Sequence, residues 1–231
     1  MSLLQGLHLY ELVMMVLGVI LFLRALFLMK SNPKSTVAYF LVAAIFIGWP
    51  SVKSIQFLGV VTNLNSDTDK LLQNPTDTTT RQAVEENLKM VEGRPTSDAR
   101  TAAVIARAQF AVGNETAAET NLKQALQTDP KLPEAVALQQ KIASIQNLGQ
   151  LTQQVKTNPQ DGAAKQQLAT HLAQVENEPL ANPSALAKVA QAQAAIGNQQ
   201  AAVRAADKVL KINPNSAAAL ELKRTIIPAS R

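Results

Sequence analysis

The sequence predicts an all-α fold, in which an N-terminal two-helix transmembrane hairpin is followed by an α-solenoid of helical repeats. Two observations predict this fold. Residues 1–62 are predominantly apolar, whereas the rest of the chain is rich in Ala, Gln, Asn and Thr. In addition, residues 67–147 resemble residues 151–231 at a constant displacement of 84 positions, without a gap. A tandem duplication of about 84 residues is typical of a repeat protein, which builds binding surface rather than a catalytic pocket.

The duplication is visible both in turns and in apolar positions. Asn74-Pro75 recurs as Asn158-Pro159, and Gly113-Asn114 recurs as Gly197-Asn198. The apolar residues Leu88, Leu126, Leu138 and Ile142 recur as Leu172, Leu210, Leu222 and Ile226. We therefore divide the chain into a transmembrane hairpin (residues 1–62), a first helical unit (63–147) and a second helical unit (148–231).

The first membrane span is expected over residues 7–29. This segment consists mostly of Leu, Val, Met, Ile and Phe. At a rise of about 1.5 Å per residue it crosses the hydrocarbon layer. The segment lacks a basic n-region and a cleavage site with small residues, so we do not expect it to be a removed signal peptide.

The second span is expected over residues 36–61. Its purely apolar run, residues 37–49, covers only 13 positions, whereas a span needs about 20. We favour one long helix kinked near Pro50. The alternative is a short span followed by an interfacial helix, with Trp49 at the level of the lipid headgroups.

The distribution of basic residues predicts the orientation of the hairpin. Of the net charge of +5, residues 1–62 carry +3, and Arg24, Lys30 and Lys34 cluster at the turn between the spans. Basic turns normally stay cytoplasmic. We therefore expect a bacterial inner membrane protein whose two termini and repeats are periplasmic; the alternative places the repeats in the cytoplasm. The repeats show no basic stripe, which argues against a nucleic-acid partner.

Two ionisable residues are expected to meet within the hairpin. If the chain folds back near residues 32–33, Glu11 lies at the depth of Lys53. Because an isolated carboxylate in a membrane is costly, we interpret the two residues as an intramembrane ion pair. A structural pair is one hypothesis, and a proton or ion relay is the other.

The repeat region is predicted to consist of helices separated by Pro and Gly. In the second unit, Gly197-Asn198 separates two amphipathic segments and Asn213-Pro214 ends the second of them. Residues 108–130 and 192–214 share this plan, and both resemble the tetratricopeptide repeat (TPR), a 34-residue helix pair with small residues at fixed positions. The 84-residue period is not a multiple of 34, so each unit is expected to contain four to five helices. Ala and Leu replace most of the family's aromatic residues.

The resemblance implies protein–protein binding along a concave face. The candidate partner-binding residues are Arg100, Arg107, Gln109, Gln191 and Gln193. Arg100 and Arg107 lie seven positions apart and could begin a grip on a carboxylate, as in some family members. The alternative is a solvated charged face, and the second unit has Ser184 and Gln191 at the corresponding positions.

No enzyme motif accompanies these features. The chain has no cysteine and only two histidines, and it contains no phosphate-binding loop, zinc motif or nucleophile elbow. We expect no enzyme, no cofactor and no metal. The expected function is a membrane-anchored scaffold or adaptor in the assembly or organisation of a bacterial envelope complex. Its partners would be other membrane or periplasmic proteins and membrane lipid. The alternative is a self-assembling structural protein that forms a homo-oligomer, or an accessory subunit of a transport or energy-coupling machine.

Overall fold

The computed structural model describes residues 7–28 and 33–226. Within these residues every regular element is an α-helix, as predicted, and there is no strand. The helices are α1 (Leu9–Leu28), α2 (Pro33–Gln73), α3 (Thr78–Val91), α4 (Ala99–Val112), α5 (Glu115–Thr128), α6 (Pro133–Thr157), α7 (Gly162–Glu176), α8 (Pro183–Ala195), α9 (Gln199–Ile212) and α10 (Ala217–Ile226).

Helices α1 and α2 are long and apolar enough to cross a membrane. Their large apolar side chains point mostly away from the rest of the protein: Leu9 is 78% exposed and Phe27 is 87% exposed. A core helix of a soluble protein would bury these side chains, whereas a lipid-facing helix exposes them.

The two helices pack along each other in antiparallel register. Glu11 of α1 contacts Lys53 of α2, and the Phe22 ring meets the Phe40 ring edge to face at 5.3 Å between centroids. Between these contacts, Gly18 allows close approach, since a Cβ there would lie 2.8 Å from Cγ1 of Ile47. The described part of α1 therefore pairs with the first half of α2.

Helix α2 continues without a break through Pro50 and past the expected end of the second span. Its 41 residues correspond to about 60 Å of helix. Phe57 and Val61 lie within the expected span 36–61, yet both are buried in a cluster shared with α3 and α4. The second half of α2 is thus part of the repeat-region core, because its apolar face packs on protein. The expected boundary between residues 62 and 63 lies inside this helix, and the one between 147 and 148 lies inside α6.

The repeat region has two alternating sets of helices. Helices α2, α4, α6, α8 and α10 contact one another in succession, and α3, α5, α7 and α9 each pack between consecutive members of that series. Buried alanines such as Ala106, Ala118 and Ala190 let the helices approach closely. Antiparallel neighbours joined by short connectors produce this arrangement.

The helix boundaries repeat at the same displacement as the sequence. Helices α3, α4, α5 and α6 begin at residues 78, 99, 115 and 133, and α7, α8, α9 and α10 begin at 162, 183, 199 and 217. The local causes repeat as well. Asp77 and Asp161 cap the N-termini of α3 and α7, and Gly113 and Gly197 turn the chain with φ of +99° and +91°.

The correspondence extends back into α2. Leu64 and Thr68 match Leu148 and Thr152 of α6 at the same displacement, and all four are buried. In both helices the threonine Oγ1 donates a 2.7 Å hydrogen bond to the carbonyl oxygen of the leucine. The C-terminal part of α2 therefore matches the C-terminal part of α6 in sequence, in burial and in this hydrogen bond.

Candidate partner-binding groove

A cavity of about 350 Å³ lies between the end of α2, helices α4 and α6, and the connector between α7 and α8. We call this cavity the groove. Its apolar lining includes Leu72, Phe110, Leu138 and Leu180, and its charged lining includes Arg107, Glu134, Lys141 and Glu178. An apolar floor with a few charged groups is typical of a binding site.

Each cation at the groove already faces an acidic group of the chain. Arg107 donates hydrogen bonds to the carboxylate of Asp69 and, at 3.4 Å, to Asn65 Oδ1 on α2. Lys141 Nζ lies 2.6 Å from the Pro179 carbonyl oxygen and 3.4 Å from a carboxylate oxygen of Glu178. An anionic partner must therefore displace internal carboxylates or share their cations.

Lys141 is the more deeply placed of these cations, and its side chain is only 18% exposed. Burial lowers the pKa of the Lys141 ammonium below its ordinary value, while the nearby Glu178 carboxylate opposes the shift. Lys141 thus combines a partly desolvated amine with a position at the groove wall.

The candidate residues from the sequence are only partly brought together. Arg107 lines the groove, and the Arg100 guanidinium is 3.9 Å from Glu134, which also lines it. The Gln109 amide oxygen accepts a 2.8 Å hydrogen bond from Asn121 instead, and Gln191, on α8, does not line the groove.

Gln193 lies apart from the groove and is buried. Its amide donates a 2.6 Å hydrogen bond to Glu176 and accepts one of 2.9 Å from Asn198. Both ends of this amide are therefore occupied within the chain, and Gln193 joins α7 to the α8–α9 turn.

Two residues that the sequence patterns did not single out join the two units. Asn182 is fully buried, and its amide donates a 2.9 Å hydrogen bond to the carbonyl oxygen of Phe110 at the end of α4. Arg81 of α3 donates to the carbonyl oxygens of Ala181 at 2.7 Å and Ala111 at 3.4 Å. Burial lowers the Arg81 pKa from its ordinary value. These bonds hold the α7–α8 connector against α4 and so form one wall of the groove.

A sequence signal for these residues exists but is slight. At the displacement of the repeat, Asn182 corresponds to Asp98 and Arg81 to Lys165. Asp98 cannot donate a side-chain hydrogen bond as Asn182 does, and Lys165 lacks the planar fork of donors that Arg81 has.

The hairpin carries a second polar cluster, at the end of α1. Lys53 Nζ lies 2.6 Å from Glu11 Oε1, and Glu11 is 1% exposed. The Glu11 carboxylate also accepts hydrogen bonds from the His8 backbone N–H at 2.9 Å and the Tyr10 hydroxyl at 3.3 Å. An ammonium, a backbone N–H and a hydroxyl therefore fix this carboxylate in place.

The topology determinants are described only in part. The Arg24 guanidinium lies 5.8 Å from the centre of the Tyr39 ring, at the end of the hairpin opposite Glu11. Lys30 and the side chain of Lys34 lie outside the described residues.

No metal site is present among residues 7–28 and 33–226, where no group of three or more His, Cys, Asp or Glu side chains could hold an ion. None of the protein-family models, curated proteins or solved structures compared with this chain matches it.

Proposed function

We propose that this chain is a membrane-anchored, TPR-like scaffold or adaptor that organises a bacterial envelope membrane complex through protein–protein contacts. The hairpin of α1 and α2 is the anchor, and the groove is the contact surface for a partner protein. The chain acts by binding and not by catalysis.

The repetition of helix boundaries supports a duplicated repeat solenoid. Four pairs of helices begin at one constant displacement along the chain, and the helices alternate between two sets. Stacked helix pairs adopt this alternating arrangement, and here the α7–α8 connector also contacts α3 and α4. The unit differs from a simple array of 34-residue pairs, because the 25 residues of α6 serve both units.

The observation that carries the proposal is the groove, which opens at the end of a helix that also contributes to the anchor. Leu72 lines the groove and belongs to α2, the helix of the second span. A partner bound there is held at a fixed distance from the bilayer. Tethering in one membrane raises the effective concentration, so a groove with modest affinity suffices.

Photocrosslinking in native membranes tests this role. A photoreactive amino acid replaces the exposed groove residue Ala137, and a matched variant carries it at exposed Gln127 of α5, away from the groove. We expect discrete crosslinked species from position 137 only. Mass spectrometry that identifies the chain itself as the crosslinked product would favour self-assembly instead. Equal, diffuse labelling at both positions would overturn the proposal.

The cluster of basic residues at the turn supports periplasmic repeats. The chain has no cysteine, so a single introduced thiol is a unique reporter. Gln200→Cys on α9 is expected to react with a membrane-impermeant thiol reagent in spheroplasts, whereas Ser31→Cys between the spans reacts only after lysis. The reverse pattern would place the repeats in the cytoplasm.

A further inference from the structure

The region where the hairpin joins the repeats carries exposed aromatic and basic groups. Lys53 Nζ lies 5.8 Å from the centre of the Trp49 ring, and its side chain remains 29% exposed beside its contact with Glu11. Trp49 is 61% exposed and Tyr10 is 58% exposed. Tyrosine and tryptophan in this setting are typical of the headgroup level of a membrane.

A second cation reaches this region from the connector between α3 and α4. Gly93, with φ of +70°, reverses the chain after α3, and Arg94 follows with its N–H bonded to the carbonyl oxygen of Val91 at 3.2 Å. The end of α3 packs beside α2 near Lys53, since Val91, three residues before Arg94, belongs to the same buried cluster as Phe57, one turn beyond Lys53 on α2. Among the described residues, no carboxylate lies within 4.0 Å of Arg94.

The junction therefore has one cation that is not paired with a carboxylate. Lys53 already engages Glu11, whereas Arg94 pairs with no described carboxylate, and Glu92, two residues before it, is exposed and more than 4.0 Å from it. Beside them α2 presents apolar side chains to the outside, including Val52 at 53% and Ile55 at 64% exposure. A cationic group above an apolar surface matches the two chemical parts of an anionic phospholipid.

We propose that the junction of Lys53, Arg94, Trp49 and Tyr10 binds the phosphate headgroup of an anionic phospholipid. The inference rests on the membrane anchoring that is part of the proposed function. Arg94 supplies a planar fork of donors suited to phosphate oxygens, and Lys53 supplies a second charge. The acyl chains lie along the exposed apolar side of α2. Anionic lipid then fixes the first repeat helices against the bilayer surface, because Arg94 belongs to the repeat region and Lys53 to the hairpin.

The sole tryptophan of the chain reports directly on this site. The full-length protein is placed in nanodiscs of phosphatidylcholine that contain a fixed fraction of brominated lipid, either brominated phosphatidylglycerol or brominated phosphatidylcholine. Bromine quenches Trp49 emission by contact. We expect brominated phosphatidylglycerol to be enriched at Trp49 by up to about fivefold, the effect of one basic side chain at an anionic surface.

Variants separate a headgroup site from general attraction. Arg94→Gln is expected to remove the preference for phosphatidylglycerol, and Arg94→Lys to keep part of it. Arg204→Gln on α9 removes the same charge away from the junction and is expected to leave the preference unchanged. Equal loss in Arg94→Gln and Arg204→Gln would overturn the site, as would loss of the preference on adding inorganic phosphate at constant ionic strength, which would indicate a site for free phosphate.

The same measurement distinguishes failure of this inference from failure of the anchor. If both brominated lipids quench Trp49 equally in the unaltered protein, the hairpin lies in the bilayer but the headgroup site is wrong. If neither lipid quenches Trp49, the membrane anchoring itself is contradicted.

Discussion

Asn182 links the end of one helix to the start of another: its Nδ2 donates a 2.9 Å hydrogen bond to the carbonyl oxygen of Phe110 in α4. Its Oδ1 accepts a 2.9 Å hydrogen bond from the N–H of Ala185 in the first turn of α8. The same amide thus serves a carbonyl at the C-terminus of α4 and an N–H at the N-terminus of α8. Only a side chain with both a donor and an acceptor can do this.

Asn182→Asp is expected to destabilise the repeat region. The carboxylate still caps α8, but it can no longer donate to Phe110, and it places a negative charge at the C-terminal end of α4. The Phe110 carbonyl oxygen keeps the Gly113 N–H at 3.1 Å, so the change removes one of its two hydrogen bonds, which contributes about 0.5–1.5 kcal/mol, and the buried negative charge adds to this loss. Urea unfolding of the full chain in detergent, followed by far-UV circular dichroism, measures the loss.

Asp161→Asn is the matched control for this change. Asp161 caps α7 with a 2.9 Å hydrogen bond from the Ala164 N–H, and no carbonyl depends on it as a donor. Because Asn caps helices about as well as Asp, we expect a change below about 0.5 kcal/mol. An equally small change for Asn182→Asp would contradict a joining role for Asn182.

The sequence predicted the all-helical fold more completely than the role of α2. Asn65, Thr68 and Asp69 are polar and follow the expected end of the second span at residue 61. In the structure Asn65 and Asp69 face Arg107 of α4, and the Thr68 hydroxyl is satisfied by a carbonyl of its own helix, so it can be buried. Polarity along a helix does not distinguish groups that face solvent from groups that face another helix.

The sequence patterns also could not predict contacts between distant parts of the chain. Arg81 and Ala181 are 100 residues apart, and periodicity within a helix carries no information about such a pair. The contact between Glu11 and Lys53 was accessible, because a short turn between two helices fixes their register. Local rules therefore predicted the hairpin pairing, whereas the groove wall depends on packing between units.

Gly18→Ala is expected to loosen the hairpin. The added methyl group would lie 2.8 Å from Ile47 Cγ1 and 3.0 Å from Phe46 Cβ, so the helices must separate. Overpacking of this kind costs about 1–3 kcal/mol. Thermal unfolding in nanodiscs, followed by Trp49 emission, is expected to show a lower midpoint. Gly48→Ala, where a methyl group meets nothing within 4 Å, is expected to leave the midpoint unchanged or raise it slightly.

Lys53→Met is expected to lower the thermal stability more than the loss of both charges does. It leaves the carboxylate of Glu11, which is 1% exposed, without its cation, and an uncompensated buried charge is destabilising. The double variant Glu11→Gln/Lys53→Met removes the unpaired charge and is expected to recover most of the thermal stability.

Lys70→Met provides the control for the ion pair. Lys70 pairs with Asp67 at 2.9 Å on the surface, where its side chain is 62% exposed. A surface pair contributes about 0–1 kcal/mol, so a small effect is expected. A double variant no more stable than Lys53→Met would show that Lys53 acts through something other than Glu11. A Glu11→Gln protein that remains stable, while a partner complex loses activity, would favour the relay hypothesis.

Lys141 is expected to react with acylating reagents at lower pH than an ordinary lysine. Only the neutral amine reacts, and burial lowers the pKa of Lys141 below the ordinary value of 10.5, which increases the neutral fraction at alkaline pH. Competitive labelling across a pH series, read by mass spectrometry of the peptide, measures the midpoint directly.

Glu178→Gln is expected to move this midpoint lower still, because the Glu178 carboxylate stabilises the charged ammonium. Glu119→Gln, a change of equal charge on α5, is the control. A midpoint at or above 10.5 would contradict the desolvation of Lys141. A partner carboxylate in the groove stabilises the ammonium as Glu178 does, so partner binding is expected to raise the midpoint.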